Sequence, residues 1–235
     1  MSVRRLVALD LDGTLAPLRR DPAAVRLTAA RRALLARLGR SPDIRVLVVS
    51  GRPQGFLRRA LAGTGAALAG EHGWVLEGIG PRWRHPRLSL RARQARALAA
   101  AARRAVRGFK GVRVETKTSA VAVHWRSAPR VIRDPSGLRR VLTALLPAGW
   151  RLAGGKRIWE FRPADAWGKG EVIALAARRL RARVVFIGDD VTDEEAFRTL
   201  GRGARTVKVG PGPTRARERV GGLSGVDALL DRLAR

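Results

Sequence analysis

The stretch LVALDLDGTLAP, residues 6–17, decides the fold. Leu6, Val7, Ala8 and Leu9 form an apolar run without polar alternation, the pattern of a strand buried on both faces. Asp10 and Asp12 follow at once, with Gly13 and Thr14 behind them. Two carboxylates at the end of such a strand repel each other and resist burial, so their placement needs a chemical reason. A strand covered on both faces also needs helices in two layers.

Helices and further apolar strands do alternate outward from this stretch. Residues 22–39 read as an amphipathic helix and Asp43 to Ser50 (DIRVLVVS) as a second apolar strand. A short helix follows Pro53, and Ala66 to Ala69 is a short buried strand ending at Gly70. The alternation returns near the other end, with a helix over 169–181, a strand from Arg183 to Ile187, a helix from about Asp193, a strand from Arg205 to Val209 and a helix near 224–234. This predicts an α/β core with a doubly wound parallel sheet, residues 1–73 and 166–235. The middle reads differently. An Arg/Ala helix over about 89–107 leads into VRVETKTSAVAVHWR, residues 112–126, whose period-two alternation in two arms predicts a hairpin. A helix near 136–146 and a strand pair over about 150–162 follow. Residues 74–165 are therefore expected to form an inserted α+β cap.

Composition bounds the chemistry. The 235 residues include no cysteine, which excludes disulfides and thiolate metal sites. His72, His85 and His124 are too scattered to suggest a zinc site. No run approaches the ~20 apolar residues of a membrane span. Arg4 and Arg5 precede only a few apolar residues before Asp10, unlike a signal peptide, so a cytoplasmic protein is the expectation. The net charge of +29 invites a nucleic-acid reading. Yet only Lys110, Lys117, Lys156, Lys169 and Lys208 among the 48 basic residues are lysines, and the arginines are dispersed along helices such as TAARRALLARLGR. That dispersal predicts a solvated basic surface with no specific nucleic-acid partner.

Three apolar strands end alike. The first ends at Asp10 with Asp12 beyond, the second at Ser50-Gly51-Arg52, and the strand 183–187 at Gly188-Asp189-Asp190-Val191-Thr192-Asp193-Glu194. Lys169 opens a helix in WGKGEVIAL. The carboxyl edge of an open parallel sheet is where ligands bind, and helix N-termini there point N–H groups at anions. So many carboxylates at one edge call for a cation, and with hard oxygen donors alone Mg2+ is the natural ion. Mg2+ usually keeps a place for a substrate phosphate oxygen. The Ser50 hydroxyl and the N–H groups of Gly51 and Arg52 then hold phosphate, Lys169 neutralises it, and Asp10 attacks phosphorus. Asp12 protonates the leaving alcohol and later activates water.

Taken singly, each residue has a plainer reading. Asp10 and Asp12 suit a turn, Ser50 an N-cap and Lys169 a surface. Asp190, Asp193 and Glu194 either charge the first turn of a helix or make outer contacts to a metal or to the lysine. Glu71-His72-Gly73 is either a turn or a ligand-bearing segment.

Together, Asp10-Leu11-Asp12-Gly13-Thr14, Ser50, Lys169 and Gly188 to Glu194 resemble the four motifs of the haloacid-dehalogenase-like (HAD) phosphatases, whose core is Rossmann-like. SGR (50–52), GEHG (70–73), ExK (115–117), HWR (124–126), ExRP (160–163) and GDDVTDEEAF (188–197) resemble the trehalose-6-phosphate phosphatase family, in the same order. The resemblance implies Mg2+ held by Asp10, the backbone carbonyl of Asp12 and Asp189. Asp190 and Asp193 are supporting residues, and His72 joins the substrate site. It also implies an aspartyl-phosphate intermediate and functional coupling to trehalose-6-phosphate synthase. Leu11 stands where the family commonly has Tyr or Phe, and Gly168 where it often has Asp; neither position does chemistry.

The cap strands carry a polar face of their own. Arg113, Glu115 and Lys117 alternate with Val112, Val114 and Thr116; Ala122, His124 and Arg126 with Val121, Val123 and Trp125; and Ile158, Glu160 and Arg162 with Trp159 and Phe161. A face of Glu, Lys, His and Arg suits a hydroxyl-rich sugar, or is an ordinary solvated sheet face. The resemblance points to Glu115, Lys117 and Glu160 as sugar contacts. Trehalose 6-phosphate is the expected substrate; sucrose 6-phosphate and mannosyl- or glucosyl-glycerate phosphates are the alternatives.

Overall fold

The computed structural model describes residues 3–19, 21, 24–155, 157–165 and 167–234. In chain order the elements are β1 (Arg5–Leu9), α1 (Ala29–Arg40), β2 (Ile44–Val49), α2 (Gln54–Ala60), β3 (Ala67–Gly70), β4 (Val75–Glu77) and β5 (Trp83–Arg84). Then come α3 (Leu88–Ala105), β6 (Arg113–Thr116), β7 (Val121–His124), α4 (Pro129–Arg133), α5 (Ser136–Ala144), β8 (Trp150–Gly155) and β9 (Ile158–Pro163). The chain closes with α6 (Lys169–Leu180), β10 (Arg183–Gly188), α7 (Val191–Leu200), β11 (Ala204–Val209), β12 (Glu218–Val220) and α8 (Leu223–Leu233). It divides into two compact units, Met1–Arg84 with Trp167–Arg235, and His85–Ala166.

The first unit is built on an eight-stranded sheet of order β12-β11-β10-β1-β2-β3-β4-β5. β1 is central and parallel to both neighbours, so that Leu9 stands level with Val48 on β2 and Ile187 on β10. Alternate residues of β1 enter opposite layers, as a pleated strand requires. Val7 and Leu9 pack with Leu35 and Leu38 of α1 and Leu229 and Leu230 of α8. Leu6 and Ala8 pack with Val172 and Ile173 of α6 and Phe197 of α7. The sheet is therefore doubly wound, with its switch point between β1 and β10, where the chain leaves in opposite directions.

Two expected boundaries move. The first helix begins at Ala29, because the Thr28 hydroxyl caps it by accepting from the Arg31 N–H. Val25 and Leu27 reach the core from the extended segment before it. Pro22, the expected helix start, and Ala166, the expected restart of the core, lie outside the described residues. Residues 74–84, expected in the insertion, group with the first unit instead, because β4 and β5 continue its sheet antiparallel from β3.

The second unit carries a four-stranded antiparallel sheet of order β6-β7-β9-β8. Its register places Glu115, Ala122, Glu160 and Ala153 in one row, and Arg113, His124 and Ile158 in another row. The opposite face, with Val121, Val123 and Phe161, packs on Leu98 and Ala102 of α3 and on Leu138 and Leu142 of α5.

Candidate active site

The site gathers at the switch point. Asp10 follows β1, is 4% exposed and anchors its own N–H on the Ile187 carbonyl at 2.9 Å. Lys169, the first residue of α6, is equally buried. Its Nζ donates to Asp10 Oδ1 at 2.6 Å and to Asp193 Oδ1 at 2.8 Å, and stands 3.8 Å from Asp190 Oδ1. Asp193, fully buried, accepts on Oδ2 from the N–H groups of Asp189 at 2.8 Å and Asp190 at 3.0 Å. Asp190 accepts from the N–H groups of Thr192 and Asp193, closing a capping box on α7. Both readings of this segment therefore meet in one motif, since Asp190 caps the helix while Asp193 also holds the lysine.

Asp189 reaches in from the end of β10, and its Oδ1 accepts from Thr14 Oγ1 at 2.9 Å. Gly13 makes room for it. With φ +93 a side chain there would be strained, and a Cβ would collide with the Asp189 carboxylate. Asp12 lies on the same turn, half-buried, forked by Arg52 through Nε at 2.9 Å and Nη2 at 2.6 Å. Arg52 also stacks over Phe56, 4.8 Å from the ring centroid. Ser50 is buried, its Oγ accepting from the Arg52 N–H at 3.2 Å, and its carbonyl accepts from the His72 N–H at 3.0 Å. Glu71 and His72 both take positive φ, 55 and 59, which folds the imidazole over Gly51; a Cβ at Gly51 would strike that ring. Consecutive left-handed non-glycine residues are costly and concentrate at functional sites.

The electrostatics favour a cation. Burial pushes the Asp10 carboxyl well above the usual carboxylate range, with Lys169 opposing and the neighbouring aspartates adding to the rise. Burial likewise raises Asp189 to about 6 against the Thr14 hydrogen bond, and Asp193 to about 7 against Lys169. Burial works against the Lys169 charge as well, yet the surrounding carboxylates hold its pKa well above the ordinary value. Asp10, Asp189 and Asp193 present oxygens within 4.8 Å of one another. Both Asp193 oxygens are occupied, whereas Oδ2 of Asp10 and Oδ2 of Asp189 have no partner among the described residues. Two hard oxygens in a buried site with excess negative charge fit a divalent cation of the Mg2+ class.

On the second unit, Lys117 stands just past β6 and its Nζ donates to Glu160 Oε1 at 2.6 Å. Arg162 Nε lies 3.2 Å from Glu160 Oε2, and His124 Nε2 lies 2.8 Å from Glu115 Oε2. Arg126, expected on this face, instead occupies the exposed turn after β7, because the strand ends at His124. Sequence reasoning missed Thr14 as a partner of Asp189 and missed Lys208 on β11, whose ammonium reaches the Asp189 carbonyl. A lone lysine inside the apolar run Val207-Lys208-Val209 was the available signal.

Residues 8–217 match the family model described as trehalose-phosphatase. The chain belongs to the trehalose-phosphatase family. It is 36% identical to a bifunctional trehalose-6-phosphate synthase/phosphatase of Thermoproteus tenax over 98% of this chain and 32% of that protein. It is 34% identical to a "Probable trehalose-phosphate phosphatase" of Sinorhizobium fredii over 94% of this chain and 83% of that one. Among solved structures, the C-terminal domain of trehalose-6-phosphate phosphatase from C. albicans matches with TM-score 0.83 and 25% identity, over 99% of this chain and 92% of that one. The chain spans about a third of the Thermoproteus protein and about half of the mycobacterial trehalose-phosphate phosphatases that it matches. A haloacid dehalogenase-like hydrolase from Bacteroides thetaiotaomicron matches with TM-score 0.65 and 16% identity, over 98% of this chain and 99% of that one, which shows the HAD-like fold. Among the described residues, no helix is long and apolar enough to cross a membrane.

Proposed function

We propose that this chain hydrolyses trehalose 6-phosphate to trehalose and phosphate, with Mg2+ and through an aspartyl-phosphate. The observation that carries the reading is the buried Asp10, held by Lys169 at 2.6 Å through one oxygen with the other left over. Asp10, Asp189 and the Asp12 carbonyl would hold the ion, which supplies positive charge to the phosphoryl oxygens. Lys169 holds the Asp10 carboxylate in place through Oδ1, and an Asp10 carboxylate oxygen attacks phosphorus as the bond to the sugar oxygen breaks. Asp12 gives a proton to that oxygen, which requires one hydrogen bond of the Arg52 fork to give way. In the second half Asp12 takes a proton from water, water attacks the phosphoryl group, and the Asp10 carboxylate is released. The Ser50 hydroxyl and the N–H groups after it bind phosphate oxygens.

Family membership supports trehalose as the leaving group, with Glu115, Lys117, His124, Glu160 and Arg162 of the second unit as its contacts. The Thermoproteus relative, named for both synthase and phosphatase, supports coupling to a trehalose-6-phosphate synthase, and a cytoplasmic location goes with that role. A phosphate-release panel of trehalose 6-phosphate, sucrose 6-phosphate and glucosyl- and mannosyl-3-phosphoglycerate tests the substrate, with Mg2+ and with chelator. Trehalose 6-phosphate should be turned over fastest, only with Mg2+, and not at all by Asp10→Asn, because an amide is not a nucleophile. Turnover by Asp10→Asn near the wild-type rate rules out the aspartyl-phosphate route, and a faster second sugar phosphate overturns the substrate.

A further inference from the structure

A lysine in the interior of a sheet is costly unless its ammonium has partners. Lys208 is 6% exposed and stands opposite Gly188 in the β10–β11 ladder. Its Nζ donates to the backbone carbonyl of Asp189 and lies 3.7 Å from Glu194 Oε1. Glu194 is fixed in turn, accepting from Thr214 Oγ1 and from the Arg215 N–H, each at 2.7 Å. Helix α7 and the loop after β11 thus anchor the ammonium against a single peptide group.

Asp189 is held at three points. Its N–H donates to Asp193, its carboxylate accepts from Thr14, and its carbonyl accepts from Lys208. The first two partners lie in the strand-end motifs, whereas the third comes from a strand outside them.

We infer that Lys208 is a positioning residue for Asp189, fixing the peptide after β10 so that the carboxylate stays beside Asp10 as one ligand of a divalent-cation site. The inference rests on the metal-dependent reading above. The ammonium acts in two ways with opposite signs. As a bare charge it repels a nearby cation, and its removal would tighten cation binding. As an anchor it keeps a ligand in place, and loss of a group that orients a metal ligand costs about 10–100-fold in affinity.

Calorimetric titration of Mg2+ into the substrate-free protein separates the two. Lys208→Met should bind Mg2+ at least about tenfold more weakly than wild type, while Lys208→Arg, which still donates to the carbonyl, should recover most of the affinity. Circular dichroism and thermal melts of each variant show whether the fold survives. If Lys208→Met does not fold, Glu194→Gln serves instead. It leaves Lys208 in place with a weaker anchor and should shift Mg2+ affinity in the same direction, though less. Unchanged or tighter Mg2+ binding in the folded variant overturns the inference and leaves the metal reading standing. A wild-type protein that takes up no Mg2+ brings down both.

Discussion

At Asp193 three donors converge on one carboxylate, the Lys169 ammonium and the N–H groups of Asp189 and Asp190. Every hydrogen that faces it is positive, so an amide nitrogen in place of either oxygen would meet a donor. Asp193→Asn should therefore cost about 1–3 kcal/mol, the penalty of an unsatisfied buried polar group. Asp190 sits a few residues away and makes mostly local bonds to Thr192 and Asp193. Asp190→Ala should cost about 1 kcal/mol, the loss of an N-cap. Urea denaturation of both variants without metal checks this order, and a larger loss at Asp190 would mean that the capping box outweighs the buried lysine pair. Much of the site was legible at this scale, because Asp10, Asp12, Ser50 and Asp189 each follow an apolar strand and parallel strands end at one edge. Lys208 was not, because the Asp189 carbonyl that it reaches follows the strand that β11 finds across the sheet, which the six residues of β11 do not encode. Nor does the sequence reveal that Arg52, expected to bind substrate, forks Asp12.

The apolar strands of the first unit were read closely and its shortest strands were not. β1, β2 and β10 are largely apolar runs of five or six residues, and their pattern has few alternatives. β4, β5 and β12 are two or three residues long and have too little period to show. What attaches β4 is also long-range. Glu77 at its end is forked by Arg58 of α2 at 2.9 and 2.6 Å, and Arg82 lies 2.7 Å away. The Arg58 hydrogen bonds hold Glu77 down to about 2 from its ordinary 4.5, against the effect of burial. A carboxylate depressed in the folded state contributes stability above its unfolded pKa and loses it as pH falls. The protein should thus lose stability between pH of about 4.5 and about 2 through this group. Glu77→Gln should flatten that part of the profile and, at neutral pH, cost about 0.5–1 kcal/mol, since the arginines are half-exposed and solvent screens them. Melting curves from pH 2 to 7 on both proteins measure it; parallel curves would show that the fork adds nothing to stability.

The 48 basic residues belong to the whole molecule, and several of the arginines have partners within each unit. Arg31 forks Asp227 and donates to the Leu15 carbonyl, Arg205 forks Glu218, Arg91 forks Asp165, and Arg179 donates to the carbonyls of Ile79 and Pro81. Planar guanidinium groups suit such paired acceptors better than ammonium groups do, which gives these arginines a structural use. At the same scale, the two units divide the proposed labour. The first holds the groups that act on phosphorus, which any phosphate ester carries, while the polar sheet face of the second is the proposed reader of the sugar. Lys117 tests that division, since it lies on the second unit and pairs with Glu160 at 2.6 Å. Lys117→Ala removes a charged donor worth roughly 1.5–3 kcal/mol in a hydrogen bond. If that bond to the sugar persists into the transition state, kcat/KM for trehalose 6-phosphate should fall by about one to two orders of magnitude. A small aryl phosphate carries no sugar hydroxyls, so its hydrolysis by the same variant should stay near the wild-type rate. Equal losses on both substrates would assign Lys117 to holding its own unit together through Glu160. No loss on either would leave the face as solvated sheet, with trehalose recognition sought elsewhere on the chain.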